Sequence, residues 1–411
     1  MTKSFLVRQV FNAAAAVNAL RPVPGMPTSV PAFLSGWLTS ELAPQLLAAT
    51  IVDAGVHTAR YGVRSRTDRI GLALAAAASA GLTANIVAGR RAGAEMAAAL
   101  AEIGVTDPAS GAPLDWRSAA RPFDFRRPEV RRVRNLAYAP GGTRFHADVY
   151  HHRDTPAGAP MLLQIHGGGW VIGNKDQQGL PLMVEMASRG WVCAAVNYPL
   201  SPKAVWPEHL IALKRAVRWM REERPRFGAD PDFLAVTGGS AGGHLAAMVA
   251  LTANDPALQP GFEEVDTSVQ ACVPFYGAYD FAGESGIKAV RQRVESALSE
   301  MILGKDAPFP EAYLAASPLA KVHAEAPPFL VIHGTNDSLI PVAEARDFVR
   351  RLRAVAGNPV GYAELRGAQH AFDIFHSIRT DQVIRGVAAF LGSVRAGALA
   401  EDAVPVSGRA M

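Results

Sequence analysis

Cysteine is nearly absent: the 411 residues contain 2, Cys193 and Cys272, each inside an apolar, strand-like run. Two such thiols read as buried and reduced, and support neither a disulfide framework nor a zinc site. Charge is also scarce, at 19% against 49% hydrophobic residues. That balance excludes global disorder and supplies a large core. Aromatic–basic interleaving and nucleic-acid motifs are missing, so no nucleic-acid partner is expected. A clean signal peptide is missing too. Lys3 and Arg8 precede Val10–Leu20, but Asn12 and Asn18 interrupt that run and no A-x-A site follows cleanly. The expected location is cytoplasmic or peripherally membrane-associated. No internal repeat is found.

What charge there is lies unevenly. Residues 1–135 hold 16 Lys/Arg against 9 Asp/Glu, a pattern that favours peripheral contact with anionic lipid over nucleic acid. Within this region Ile70–Ala88 is uncharged over 19 residues and flanked by Arg69 and Arg90-Arg91. As a helix it would measure about 28 Å, close to the roughly 30 Å of a bilayer core. Its composition is mostly Ala, and Leu72, Leu74, Leu82 and Ile86 form no single narrow stripe. Such a helix is apolar all round, which leaves a membrane span and a buried or membrane-touching cap helix both open. Pro22, Pro24, Pro27 and Pro31 predict a loop. Phe33–Thr50 and Glu95–Ile103 predict helices, and Val105–Pro128 a connecting loop.

From about residue 130 the texture changes. Arg131–Tyr138 and Arg144–Tyr150 predict a hairpin around Pro140-Gly141-Gly142. Strands at Met161–Ile165, Trp191–Asn197, Phe233–Thr237, Val269–Phe275, Phe329–His333 and Val360–Leu365 then alternate with helices at Gln178–Ser188, Glu208–Glu223, His244–Leu251, Val342–Ala354 and Asp381–Val394. The expected fold is α/β, with about eight mostly parallel strands and helices on both faces. Its expected divisions are a helical N-terminal cap or membrane-contact region over 1–130, a catalytic domain over 131–395, and a tail over 396–411. Residues 281–318 interrupt the alternation and predict an insertion over the site.

The chemistry centres on Gly238-Gly-Ser240-Ala-Gly242, the only G-x-S-x-G in the chain. A serine that attacks a carbonyl must stand clear of its sheet on a sharp strand-to-helix turn, which small neighbours permit. It needs a base, and the base needs an acid to fix its tautomer. Both should follow the serine on loops after strands. Asp337 follows Phe329–His333 and His370 follows Val360–Leu365, at spacings of 97 and then 33 residues. Asp373 is the rival acid, but it stands too near His370 in the chain for that role. Oxyanion stabilisation is assigned to the N–H groups of Gly168, Gly169 and Ala241, from the run His166-Gly-Gly-Gly-Trp170 and the residue after the serine. His166 is read as a loop-stabilising hydrogen bonder and His244 as helix packing. Trp170, Trp206, Tyr276 and Phe372 are candidate pocket residues, with packing as the competing role.

These residues reach a known family. His166-Gly-Gly-Gly-Trp170, Asn197-Tyr-Pro-Leu-Ser-Pro202, Gly239-Ser-Ala-Gly-Gly243, the Asp337 loop and His370-Ala-Phe372 resemble the bacterial hormone-sensitive-lipase-like carboxylesterases of the α/β-hydrolase superfamily. The resemblance spans about two thirds of the chain. The Ala- and Arg-rich composition and long N-terminal extension resemble mycobacterial-type members. Gly239 departs from it where Asp is common, and Pro199 where Arg is usual, which leaves pocket polarity and subfamily open. The resemblance implies a serine carboxylesterase or lipase acting on a small-molecule or lipid ester, short to medium acyl chains favoured, with no metal or organic cofactor required. An arylformamidase, amidase or thioesterase with the same triad is the alternative, and a non-catalytic hydrolase-fold binding protein a further one.

Overall fold

The computed structural model describes residues 2–106 and 115–399. Part of the expected 105–128 loop and residues 400–411 of the expected tail therefore lie outside the described residues. Eight strands form one sheet: β1 (Val130–Ala137), β2 (His146–His152), β3 (Ala159–Ile165), β4 (Val192–Val196), β5 (Ala229–Gly239), β6 (Ala271–Phe275), β7 (Phe329–Gly334) and β8 (Val360–Leu365). Their order is β1-β2-β4-β3-β5-β6-β7-β8. The β1–β2 hairpin is antiparallel and β2 runs antiparallel to β4, while every later pairing is parallel. β3, β4, β6 and β7 are buried at every position. That burial is why their sequences are continuous apolar runs rather than alternations.

Helices cover both faces. The helices of this chain are α1 (Thr2–Leu20), α2 (Met26–Glu41), α3 (Ala43–Tyr61), α4 (Arg66–Ala101), α5 (Trp116–Ala120), α6 (Leu180–Ser188), α7 (Glu208–Phe227), α8 (Ala241–Leu251), α9 (Lys288–Val294), α10 (Ala297–Leu303), α11 (Glu311–Ala315), α12 (Val342–Val355) and α13 (Ile378–Arg395). Leu163 and Val236 face Leu213 and Leu245 on one side. Leu162, Ala235 and Ile332 face Met183, Val387 and Met96 on the other.

The N-terminal helices correct three expectations. The loop predicted across Pro22–Pro31 is confined to its first residues. Pro27 sits in the first turn of α2, where its missing N–H costs nothing, and Pro31 lies inside the helix. Phe33–Thr50 is broken at Leu42 into two helices. Ile70–Ala88 and the part of Glu95–Ile103 up to Ala101 belong to one 36-residue helix, α4, opened by a Ser65/Asp68 capping box. This helix is long and apolar enough by length and composition to cross a membrane. It nevertheless has a buried stripe, built from small residues rather than large ones: Gly71, Ala75, Ala78, Gly89 and Ala92 recur at helical spacing. A Cβ at Gly71 would stand 2.6 Å from Phe5, and one at Gly81 would stand 3.1 Å from Ala16. The small stripe lets α1 lie against α4, and the far end of α4 enters the core through Met96 and Leu100.

The insertion after β6 carries three short helices, α9, α10 and α11. Arg293 of α9 is paired with Glu344 of α12 at 2.6 Å. Glu344 also accepts from the N–H groups of Tyr279 and Asp280.

Candidate active site

Ser240 stands between β5 and α8 at φ 60°, ψ −122°. This is a left-handed, strained backbone for a residue with a side chain. Its neighbours show why glycine is needed. A Cβ at Gly242 would stand 2.1 Å from the Ile165 carbonyl oxygen, and one at Gly243 would stand 2.6 Å from that of Phe275. Strand β3 and helix α8 therefore meet at backbone distance directly beneath the serine. Its hydroxyl has no hydrogen-bond partner among the described residues.

The loop after β3 closes on the same point. A Cβ at Gly167 would lie 3.0 Å from the Cβ of Ser240. Gly168, Gly169 and Trp170 all take positive φ, a conformation that glycine adopts at least cost. The Gly167 N–H donates to Gln178 Oε1 at 2.6 Å, anchoring the loop. The N–H groups of Gly168, Gly169 and Ala241 have no acceptor among the described residues, and Ala241 opens α8, where the helix dipole favours an anion. His166 donates from Nδ1 to the Gly167 carbonyl at 2.7 Å and stacks on Tyr198. Burial lowers its pKa to about 4, so the ring is neutral.

His370 and Asp337 are brought together. His370 Nδ1 donates to Asp337 Oδ2 at 2.7 Å, and the Asp337 side chain is 1% exposed. Asp337 Oδ1 accepts from the N–H groups of Leu339 and Ile340 at 2.9 and 2.8 Å. Burial would raise this carboxyl, but the charge of His370 and hydrogen bonds from His333 and His370 outweigh it and hold it well below the usual range. The carboxylate is thus ionised, fixed and aimed at the imidazole. Asp373 instead accepts from Tyr276 Oη, and burial raises its pKa.

Tyr276 links the parts. Its ring lies 4.6 Å from that of His370, and a Cβ at Gly239 would stand 2.7 Å from its hydroxyl. The tyrosine occupies the space that a side chain before the serine would need, which accounts for glycine there. Among the pocket candidates, Trp170 and Phe372 are buried. Trp170 donates to His244 Nδ1 at 3.1 Å and packs edge-on against Phe281, while Phe372 packs against Phe275 and Tyr276. Trp206 is half-buried against His244. His244 donates from Nε2 to the Ala316 carbonyl, and burial lowers its pKa to about 3.

Several contributors escaped the sequence. His333 Nε2 lies 3.2 Å from Asp337 Oδ2 while bonding the Ile340 carbonyl; its spacing of four from Asp337 was the available signal. Gln369 Oε1 accepts from the N–H groups of His370 and Ser338. The N-terminal helices also reach this loop. Phe33 meets His370 edge-on at 5.8 Å, and Asn336 donates to the carbonyls of Ala19 and Leu20. Arg379 and Glu41 form a buried pair at 3.0 Å. No sequence pattern announces contacts separated by more than 300 residues.

A sheet of this order, with a strained serine after its fifth strand and an Asp–His pair after its seventh and eighth, is an α/β-hydrolase fold. The BD-FAE family profile matches residues 147–352. The probable carboxylic ester hydrolase LipM of Mycobacterium tuberculosis is 40% identical over 407 residues, 95% of this chain and 93% of its own. Esterase LipQ of the same organism is 42% identical over 283 residues, 66% of each chain. A thermophilic esterase from Thermogutta terrifontis, solved with butyrate bound, superposes with TM-score 0.54 at 25% identity, over 66% of this chain and 96% of that one. The chain belongs to the carboxylic ester hydrolases of α/β-hydrolase fold, alongside the mycobacterial LipM and LipQ.

Proposed function

We propose that this protein hydrolyses carboxylic esters through a Ser240–His370–Asp337 triad and an acyl-enzyme. The Asp337–His370 hydrogen bond, with its buried ionised carboxylate, carries the reading. A proton held on Nδ1 leaves Nε2 as the basic nitrogen. His370 Nε2 takes the Ser240 proton as Oγ attacks the ester carbonyl. The oxyanion that forms is met by the N–H groups of Gly168, Gly169 and Ala241. The C–O bond to the alcohol breaks, His370 protonates the leaving oxygen, and Ser240 carries the acyl group. Water, deprotonated by His370, then releases the acid and restores the serine.

Short to medium acyl chains are the favoured substrates. The support is the butyrate held by the related esterase from T. terrifontis. Ser240→Ala is expected to lower kcat/KM on p-nitrophenyl esters by about 10⁴-fold or more without unfolding the protein. A panel from acetate to palmitate should peak at or below medium chains. Activity surviving in Ser240→Ala would refute the nucleophile, and a peak at palmitate would refute the chain-length reading.

We further propose peripheral contact with anionic lipid through the N-terminal helices. Val7, Val10, Phe11, Val17 and Leu20 of α1 and Val30, Leu34 and Leu38 of α2 are exposed at helical spacing. The exposed side of α2 carries no charge, and Arg21, Arg64, Arg66 and Arg69 stand on the same helical region.

A further inference from the structure

A second concavity lies on the flank of the sheet. Its cavity, about 580 Å³, is lined by Arg121, Arg126, Arg127, Arg132, Arg134 and Tyr150, and a single acidic residue, Asp124, joins them. β1 is separated from the serine-bearing β5 by β2, β4 and β3, four strand spacings or about 19 Å. It is therefore not an extension of the catalytic cleft.

The arginines differ in what they already hold. Arg126 pairs with Asp124, Arg127 with Glu185 and Arg132 with Asp148. Two of those carboxylates are shared with other cations: Arg189 also holds Glu185, and Lys175 also holds Asp148. Arg121 and Arg134 are exposed and make no side-chain hydrogen bond or ion pair among the described residues, while the charge of Arg121 also acts on Asp124. Tyr150 lines the cavity and is 4% exposed; its hydroxyl oxygen is closed off from solvent and has no hydrogen-bond partner among the described residues. Burial pushes its pKa up to about 12, so it is a donor. Arg132 lies 5.2 Å over its ring, fixing the phenol in place. Phe125, Leu180 and Val184 supply apolar wall beside these donors.

We infer that this pocket binds an amphiphilic oxyanion, a phosphate or carboxylate head on an apolar chain, with the exposed guanidinium groups of Arg121 and Arg134 receiving the head. Guanidinium groups match the geometry of such oxyanions, and the volume suits a small ligand. The inference is independent of the triad.

The test is calorimetric titration of the full chain with dodecyl phosphate below its micellar concentration. Inorganic phosphate, neutral dodecyl maltoside and phosphatidate vesicles serve as parallel titrants. Dodecyl phosphate should bind one per chain, more tightly than inorganic phosphate, and dodecyl maltoside should not bind. The Arg121→Gln/Arg134→Gln variant should weaken dodecyl phosphate about tenfold or more with p-nitrophenyl acetate turnover unchanged. Tyr150→Phe, which removes a hydroxyl closed off from the cavity, should leave the binding unchanged. Vesicle binding lost in the arginine variant would identify a lipid headgroup as the source of the anion, and vesicle binding unaffected would identify a free amphiphile. Dodecyl phosphate binding that the arginine variant leaves unchanged, or equal binding of dodecyl maltoside, would overturn the inference.

Discussion

Gly239 and Tyr276 show how a single position is decided by its neighbour. The space before Ser240 is filled by a phenol whose hydroxyl donates to buried Asp373 and whose ring lies against His370. Gly239→Ala would drive a methyl to within 2.7 Å of that hydroxyl and 2.9 Å of its ring. The variant is expected to lose about 1–3 kcal/mol of stability and to lower ester turnover by displacing Tyr276 from His370. Adding Tyr276→Phe should recover part of the stability lost, because the closest clash is with the hydroxyl. Urea denaturation of both single variants and the double completes the cycle. Costs that simply add would show that the two positions do not interact. At this scale the sequence was informative where chemistry needs fixed residue types. Ser240, Asp337 and His370 were legible from their order and loops. His333 and Gln369 were not, and Tyr276 was read only as a pocket or packing residue, because a histidine, glutamine or tyrosine near a strand end has many structural uses.

The N-terminal helices carry the main disagreement between pattern and structure. Their large apolar residues do not all mark the buried side: Phe5 packs on Gly71 and Ala16 on Gly81, while Phe11, Val17 and Leu20 stay outside. Phe11 is 70% exposed and Leu34 47%, so glutamate at both positions disturbs no core. In sedimentation with anionic phospholipid vesicles the full chain should bind, and the Phe11→Glu/Leu34→Glu variant should bind at least about tenfold more weakly, given the roughly 1.5–3 kcal/mol a large apolar side chain gains on burial. Its thermal midpoint should stay unchanged. Equal binding by both proteins would remove α1 and α2 from lipid contact. Deleting residues 1–130 is not an equivalent experiment, because Met96 and Leu100 are part of the core and Glu41 is the buried partner of Arg379.

Across the whole molecule, burial sets a pH response. Desolvation lowers the pKa of His166 and His209 to about 4 and that of His244 to about 3. These values lie below the ordinary 6.5, so the unfolded chain takes up the protons first. Stability is therefore full above about pH 6.5 and falls as the pH drops toward 4, by about 3 kcal/mol for each such ring at most. Urea midpoints should hold between pH 8 and 7 and decline from pH 6.5 to 4.5, less steeply in His209→Asn. A midpoint unmoved by acid would contradict the neutral state of these rings. The sequence by itself determined the alternating sheet and the placing of Ser240, Asp337 and His370 at strand ends in that order, because strand periodicity and strand-to-helix turns are local and need particular residues. Only the tertiary structure decided which faces of α1–α4 are buried, what fills the space beside Ser240, and that five arginines line one cavity. Those outcomes depend on contacts between residues far apart in the chain, and local periodicity carries no record of them.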